Sequence, residues 1–169
     1  VPTPSNLDGS MNIDMLENVL AEIDKIITKT DNIILIRSTV VPGTTKKLQE
    51  RYPKLKLVFN PEFLTERSAR FDFINQSRFI LGGEKEYTSK VGDLFKWRFG
   101  HSIPIIETDY QTAELIKYMN NCFFATKVSF MNEMKVIADA IDADWDSAVE
   151  GFIRDGRIGH SHIQVPGPD

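Results

Sequence analysis

The sequence predicts an α/β fold, with short and mostly parallel strands alternating with helices, followed by a helical part built on one long helix. Three observations carry this. Short apolar runs bounded by turn residues recur up to residue 106. Between them apolar residues repeat at three- and four-residue spacing, and such strand–helix alternation builds parallel layers. From Asp109 to Ile141 neither Pro nor Gly occurs, which allows a single helix well above the usual length.

The elements follow in order. Ile13, Leu16, Leu20, Ile23 and Ile27 place an amphipathic helix over residues 12–29. Ile33–Ile36, after the turn-like Asp31-Asn32, reads as a buried strand. A helix over 43–51 follows, with Pro42 suited to its first turn. Leu55–Phe59 and Arg78–Leu81 read as further strands and residues 85–98 as a helix. The long helix then spans Asp109 to about Ile141, a short helix covers Asp144–Arg154, and the last fifteen residues are loop-like. Two domains are expected, 1–106 and 107–169.

Composition sets bounds. The chain has 169 residues, 41% hydrophobic and 26% charged, as in ordinary globular proteins. Twenty basic against 24 acidic residues give a net charge of −4, which argues against a nucleic-acid surface. No apolar run approaches the length of a membrane span. The lone Cys122 suits a reducing compartment, so a cytoplasmic location is expected. The opening Val1-Pro2-Thr3-Pro4, without an initiator Met, and the Pro-rich end lead to the expectation of a piece of a longer chain.

Four segments carry candidate chemistry. Arg37-Ser38-Thr39-Val40-Val41-Pro42-Gly43 sits at the carboxyl end of a strand, where open α/β sheets bind ligands. Its hydroxyls can hold water or a polar ligand group, or serve as helix caps. Glu62 and Glu66, four apart just past the next strand, would share a face if the segment turns helical. Their mutual repulsion would then make one a base; alternatively both are simply solvated. Glu114, Lys117 and Asn121 lie along one face of the long helix. Lys117 and Asn121 form a donor pair suited to an oxyanion, while a surface Glu114–Lys117 ion pair is the plainer alternative. Arg157, between Gly156 and Gly159, suits a phosphate or carboxylate, or is an ordinary loop residue. His101, His160 and His162 lack the partners of a metal site, so no metal is expected. Phe123, Phe124, Val128, Phe130, Met131 and Met134 ring the long helix, as core and subunit packing would require.

Taken in order, these blocks resemble the signature line of the UDP-glucose/GDP-mannose dehydrogenase family. The residues are Val1-Pro2-Thr3-Pro4, Ser38-Thr39-Val40 with Pro42-Gly43-Thr44, and Asn60-Pro61-Glu62-Phe63-Leu64 with Glu66, Ala69 and Asp72-Phe73. They continue with Glu114, Lys117 and Asn121, then Lys127-Val128-Ser129-Phe130-Met131-Asn132-Glu133, and Arg157-Ile158-Gly159. The resemblance implies the second half of a Rossmann-like NAD-binding sheet followed by a central helical dimerisation domain. It implies an NAD-dependent four-electron oxidation of a nucleotide sugar to its uronate through a cysteine thiohemiacetal and thioester. UDP-glucose is the first choice, with GDP-mannose and UDP-N-acetylated sugars as alternatives. By position, Thr39 and Glu62 would handle water and protons, and Lys117 and Asn121 would stabilise the oxyanion. Phe63 and Leu64 would line the substrate site, with Arg157 reaching substrate across a homodimer. Thr3, Thr39 and Glu66 would lie against the cofactor.

Departures are also visible. No G-x-G-x-x-G occurs, and Arg67 stands where the family often has Gly. Cys122 adjoins Asn121 on the helix and so points about 100° away around the axis, which rules it out as the family's nucleophile. The 169 residues alone are therefore expected to be inactive, and a non-catalytic nucleotide-sugar-binding or dimerisation module is the alternative reading. A hydroxyacid dehydrogenase of similar layout is disfavoured by the Asn60–Leu64 block.

Overall fold

A computed structural model describes residues 1–28 and 31–165, with every side chain but that of Glu66. The element order is α1 (Asp14–Ile26), β1 (Ile33–Ile36), α2 (Thr44–Arg51), β2 (Lys56–Phe59), a 3-10 turn (Glu66–Ser68), α3 (Ala69–Ile74), β3 (Phe79–Gly83), α4 (Lys85–Phe99), β4 (Ile105–Thr108), α5 (Tyr110–Ala140) and α6 (Trp145–Ile153). The chain forms two compact units, Val1–Tyr118 and Met119–Asp169. The family-like boundary at 106/107 precedes α5. The units divide inside that helix because its first turns bury Tyr110, Ala113, Glu114 and Lys117 in the first unit.

The first unit is a four-stranded sheet in the order β1-β2-β3-β4. β1 pairs parallel with β2, and β3 parallel with β4, but β2 and β3 are antiparallel. The sheet is thus mostly parallel, as expected, with that one antiparallel pairing as the exception. The connection from β2 to β3 contains only a 3-10 turn and the six-residue α3, and no long crossover helix returns the chain to the starting edge.

Strand residues alternate between two cores. Ile36, Leu57, Phe59 and Ile80 pack with Leu16, Leu20, Leu48, Tyr110 and Ala113, from α1, α2 and α5. Val58, Phe79 and Leu81 pack on the other face with Val91 and Phe95 of α4. Both faces are covered, which is why the strands read as unbroken apolar runs. β1 forms one edge of the sheet, with Ile33, Ile34 and Leu35 half-buried.

Several expectations shift in detail. α1 begins two residues late, where Asn12 Oδ1 accepts from Asp14 N at 2.9 Å, and its last residue is Ile26; position 29 of the expected helix lies outside the described residues. Pro42 lies before α2 rather than in its first turn, because Gly43 (φ 96°) is the residue that turns into the helix. β4 and α3 escaped the sequence reading. β4 is only four residues long and carries Glu107, whose carboxylate accepts from Lys85, Thr88 and Ser89 of α4.

Gly82 sets the seam between β3 and α5. A Cβ placed there would lie 2.5 Å from Ala113 Cβ and 2.9 Å from the Asp109 carbonyl oxygen. Beside it, Tyr110 donates to the Leu57 carbonyl at 3.0 Å, and burial pushes its phenol up to about 12.

In the second unit the rest of α5 packs with α6, with Met131 and Ala138 buried. Asp144 caps α6, accepting from Asp146 N and Ser147 N at 3.1 and 3.2 Å. An apolar cavity of about 270 Å³ lies between the two helices, lined by Phe130, Met134, Ile137, Trp145, Val149 and Phe152. Among the described residues no helix is long and apolar enough to cross a membrane.

Gly82→Ala is expected to lower unfolding stability by about 1–3 kcal/mol, because the added methyl meets the Ala113 methyl and the Asp109 carbonyl, neither of which can rotate away. Chemical unfolding of parent and variant measures this.

Candidate active site at the carboxyl ends of β1 and β2

β1 and β2 run parallel and end side by side, with Asn60 N donating to the Ile36 carbonyl at 2.9 Å. Two of the four segments singled out from the sequence, Arg37–Gly43 and Asn60–Glu66, leave the sheet at these ends. Asn60 is buried and donates from its side chain to the Ile80 carbonyl at 2.9 Å, tying the start of the second loop to β3.

In the first loop the Thr3 hydroxyl donates to the Thr39 carbonyl at 2.7 Å, and the Ser38 hydroxyl to the Val1 carbonyl at 2.6 Å. Thr3 and Thr39 are thus brought together. Neither Ser38 nor Thr39 caps α2, which corrects the capping alternative; that end is closed from elsewhere. Glu114, fully buried on α5, accepts from Gly43 N at 2.5 Å and from Thr45 N at 2.7 Å. The surface Glu114–Lys117 ion pair therefore does not form. A buried carboxylate needs donors, and the positive end of a helix supplies them.

Lys117 is 9% exposed and donates from Nζ to the Glu62 carbonyl at 2.6 Å. Its ammonium stands 5.3 Å from the centre of the Phe63 ring, on which the Arg78 guanidinium also rests at 4.7 Å. Burial holds Lys117 below the ordinary lysine range, against the pull of the Glu62 carboxylate. Glu62 also faces Arg37, with Nη2 to Oε2 at 3.5 Å.

The shared helical face expected for Glu62 and Glu66 does not form. Residues 60–65 are not helical and the 3-10 turn begins only at Glu66. Pro61 biases Asn60 toward extended backbone. The Glu66 side chain lies outside the described part of the structure. Asp72 organises this stretch instead, accepting from Thr65 N at 2.9 Å and from the hydroxyls of Thr65 and Ser68 at 2.7 and 2.9 Å. The Thr65 N–H, with those hydroxyls, holds its carboxyl below the usual range.

Asn121 and Arg157 belong to the second unit, and Asn121 is exposed. Arg157 is engaged by its neighbour, donating from Nε to Asp155 Oδ1 at 2.9 Å. Lys127 anchors this loop, donating to the Ile158 and Gly159 carbonyls at 3.0 and 3.2 Å. His162 stacks on Phe124 at 4.1 Å. Sequence spacing alone assigns Arg37, Asp72 and Lys127 no role of their own. Only the position of Arg37 beside Ser38 at a strand end hinted at one.

The loops suit one end of a dinucleotide. Among the described residues nothing hydrogen-bonds the Thr39 hydroxyl, and the Thr3 and Ser38 oxygens keep acceptor capacity, a neutral set suited to a carboxamide or a ribose. A pyrophosphate needs free N–H groups at a helix start, but those of Gly43 and Thr45 are held by Glu114.

Comparison with known proteins identifies the family. Residues 1–97 match the model of the UDP-glucose/GDP-mannose dehydrogenase family NAD binding domain, and residues 111–169 that of the family's central domain. The chain belongs to the UDP-glucose/GDP-mannose dehydrogenase family, and its first part is a stretch of that NAD-binding domain. It is 35% identical to the UDP-glucose 6-dehydrogenase YwqF of Bacillus subtilis, over 98% of this chain and 38% of that protein. Among solved structures it resembles a UDP-glucose dehydrogenase from Pyrobaculum islandicum (31% identity, TM-score 0.82, 95% of this chain and 39% of that one). It also resembles a ternary complex of GDP-mannose dehydrogenase from Pseudomonas aeruginosa (28%, TM-score 0.81, 97% and 40%). The chain spans from about a fifth to about two fifths of the length of the curated relatives it matches.

Glu114→Ala leaves two backbone N–H groups without their acceptor and is expected to cost on the order of 2–4 kcal/mol, read from unfolding midpoints. Lys117 gives a pH signature. Between its lowered value and the ordinary one the unfolded chain binds more protons than the folded one, so stability rises with pH across that window. Lys117→Met should remove that share of the rise, seen as a shallower dependence of the midpoint on alkaline pH.

Proposed function

We propose that the complete protein is an NAD-dependent nucleotide-sugar 6-dehydrogenase. It would oxidise the sugar's primary alcohol to a carboxylate in two steps, with UDP-glucose to UDP-glucuronate the first choice and GDP-mannose or a UDP-N-acetylated sugar the alternatives. Such products serve as polysaccharide precursors. The observation that carries the proposal is the meeting of three elements at one sheet edge. The Lys117 ammonium from α5 is bonded to the Glu62 carbonyl after β2, and the Thr3–Thr39 contact follows β1, whose end is tied to that of β2.

NAD, when bound, accepts the hydride in each of the two oxidations. Thr3 and Thr39 would hold its nicotinamide end, with Glu66 expected beside it by position. Thr39 and Glu62 would hold water and receive protons at the strand ends. Lys117 is suited to an oxyanion: a buried ammonium, already largely stripped of water, loses little on pairing with charge that develops beside it, and it can exchange the Glu62 carbonyl for that charge. Asn121 is proposed as the second donor, Phe63 and Leu64 as the lining of the nucleotide-sugar site, and Arg157 as an anion contact in a homodimer. The uncovered Met119, Phe123, Val128 and Phe130 of α5 supply apolar surface for that dimer. The thiol of the covalent steps is not Cys122, so the 169 residues by themselves are expected to be inactive. A cytoplasmic setting completes the reading.

In the complete protein, supplied with NAD and each nucleotide sugar in turn, about two NADH should form per sugar consumed. Lys117→Ala should lower turnover at least about a hundredfold while NAD affinity, followed by fluorescence, stays within about twofold. Unchanged turnover would remove the oxyanion role, and binding of nucleotide sugar without NADH from the parent would favour a non-catalytic module.

A further inference from the structure

Glu62 has two tethers, and only one comes from a residue already given a task. Lys117 holds its backbone carbonyl at 2.6 Å. Its carboxylate faces the guanidinium of Arg37 at 3.5 Å. Arg37 is the first residue past β1 and Glu62 lies three past β2, so the pair bridges the ends of two parallel strands at the point from which both site loops depart.

An exposed ion pair would carry little meaning, because two long side chains must be held in one geometry for a small Coulomb gain. The Arg37 and Glu62 side chains are 30% and 47% exposed, so the pair itself contributes little; Arg37 differs from a surface arginine in being already fixed. Its guanidinium lies 5.0 Å from the centre of the Phe73 ring, and Phe73 stands edge-on to Phe79 and Phe99 in the second core. Its Nε is buried and without an acceptor among the described residues, so packing rather than a second carboxylate sets its place. A planar guanidinium seated on a ring loses little further freedom when it pairs, which makes it a rigid post. Two other cations of this region have contacts of their own: Lys117 donates to the Glu62 carbonyl and Arg78 rests on the face of Phe63.

We propose that Arg37 is a positioning residue for the proposed reaction: seated on Phe73, it fixes the Glu62 carboxylate at the mouth of the β1 and β2 loops, in reach of the water or proton that Glu62 handles. This rests on the dehydrogenase reading and extends it to a residue whose own contacts with substrate or cofactor are not required. Arg37 acts only through Glu62. Removing it should leave substrate binding nearly intact and slow the steps after binding.

The experiment uses the complete protein, with NADH formation from its best nucleotide sugar as the readout. Activity of the parent is established first: no NADH with any nucleotide sugar would overturn the dehydrogenase reading itself, before any variant is compared. With an active parent, Arg37→Met is expected to lower kcat on the order of 10- to 100-fold, with KM within about twofold. Arg37→Lys, which keeps the charge but not the planar seat, should recover part of the loss and covers the case in which the Met variant fails to fold. The deciding comparison is the double variant. If Arg37 works through Glu62, then Arg37→Met made on Glu62→Gln adds no further drop in single-turnover rate. A full additional drop there, a loss confined to KM, or parent-like kcat in Arg37→Met would each overturn the proposal.

Discussion

The buried carboxylate of Glu114 at the amino end of α2 is the constraint on which the rest of the first unit depends. Taking a carboxylate out of water costs several kcal/mol unless its oxygens are satisfied. Two backbone N–H groups on a charged acceptor return about 1.5–3 kcal/mol each. The helix end itself contributes about 0.3–2 kcal/mol. The balance holds only while α5 and the β1–α2 turn stay in this register. The same turn of α5 carries Ala113, which meets Gly82 of β3, and one turn later Lys117, which reaches the Glu62 loop. One buried group thus sets where both site loops stand relative to the helix that serves them.

It also decides what the β1–α2 turn does. A strand, a short loop and a helix start normally leave a place for phosphate. Here the protein's own carboxylate fills that place, so the turn presents hydroxyls rather than an anion cradle.

Much of the fold was legible in the sequence. The limits of β1 and of the long helix came within a residue, because a four-residue apolar run after Asp31-Asn32 and a stretch free of Pro and Gly allow little else. β4 was not legible: four residues after Pro104, one of them Glu107, give no periodicity, and only pairing with β3 makes them a strand. The antiparallel β2–β3 pairing was hidden for a similar reason, since it follows from what the connection lacks. At the site, the segments were found but not their partners. Glu114 was read beside Lys117 because helical spacing is all a sequence shows, whereas its acceptor role involves residues 69 and 71 positions away. Glu62 was read against Glu66 for the same reason, and its cation came from the neighbouring strand.

The most direct test of this account is amide hydrogen exchange at Gly43 and Thr45. If Glu114 closes the end of α2, both amides exchange slowly, in the range of the buried β2 amides of Leu57 and Phe59. Exchange of both at the rate of an open loop would mean that the carboxylate is not seated there, and the placing of both site loops would then need another cause.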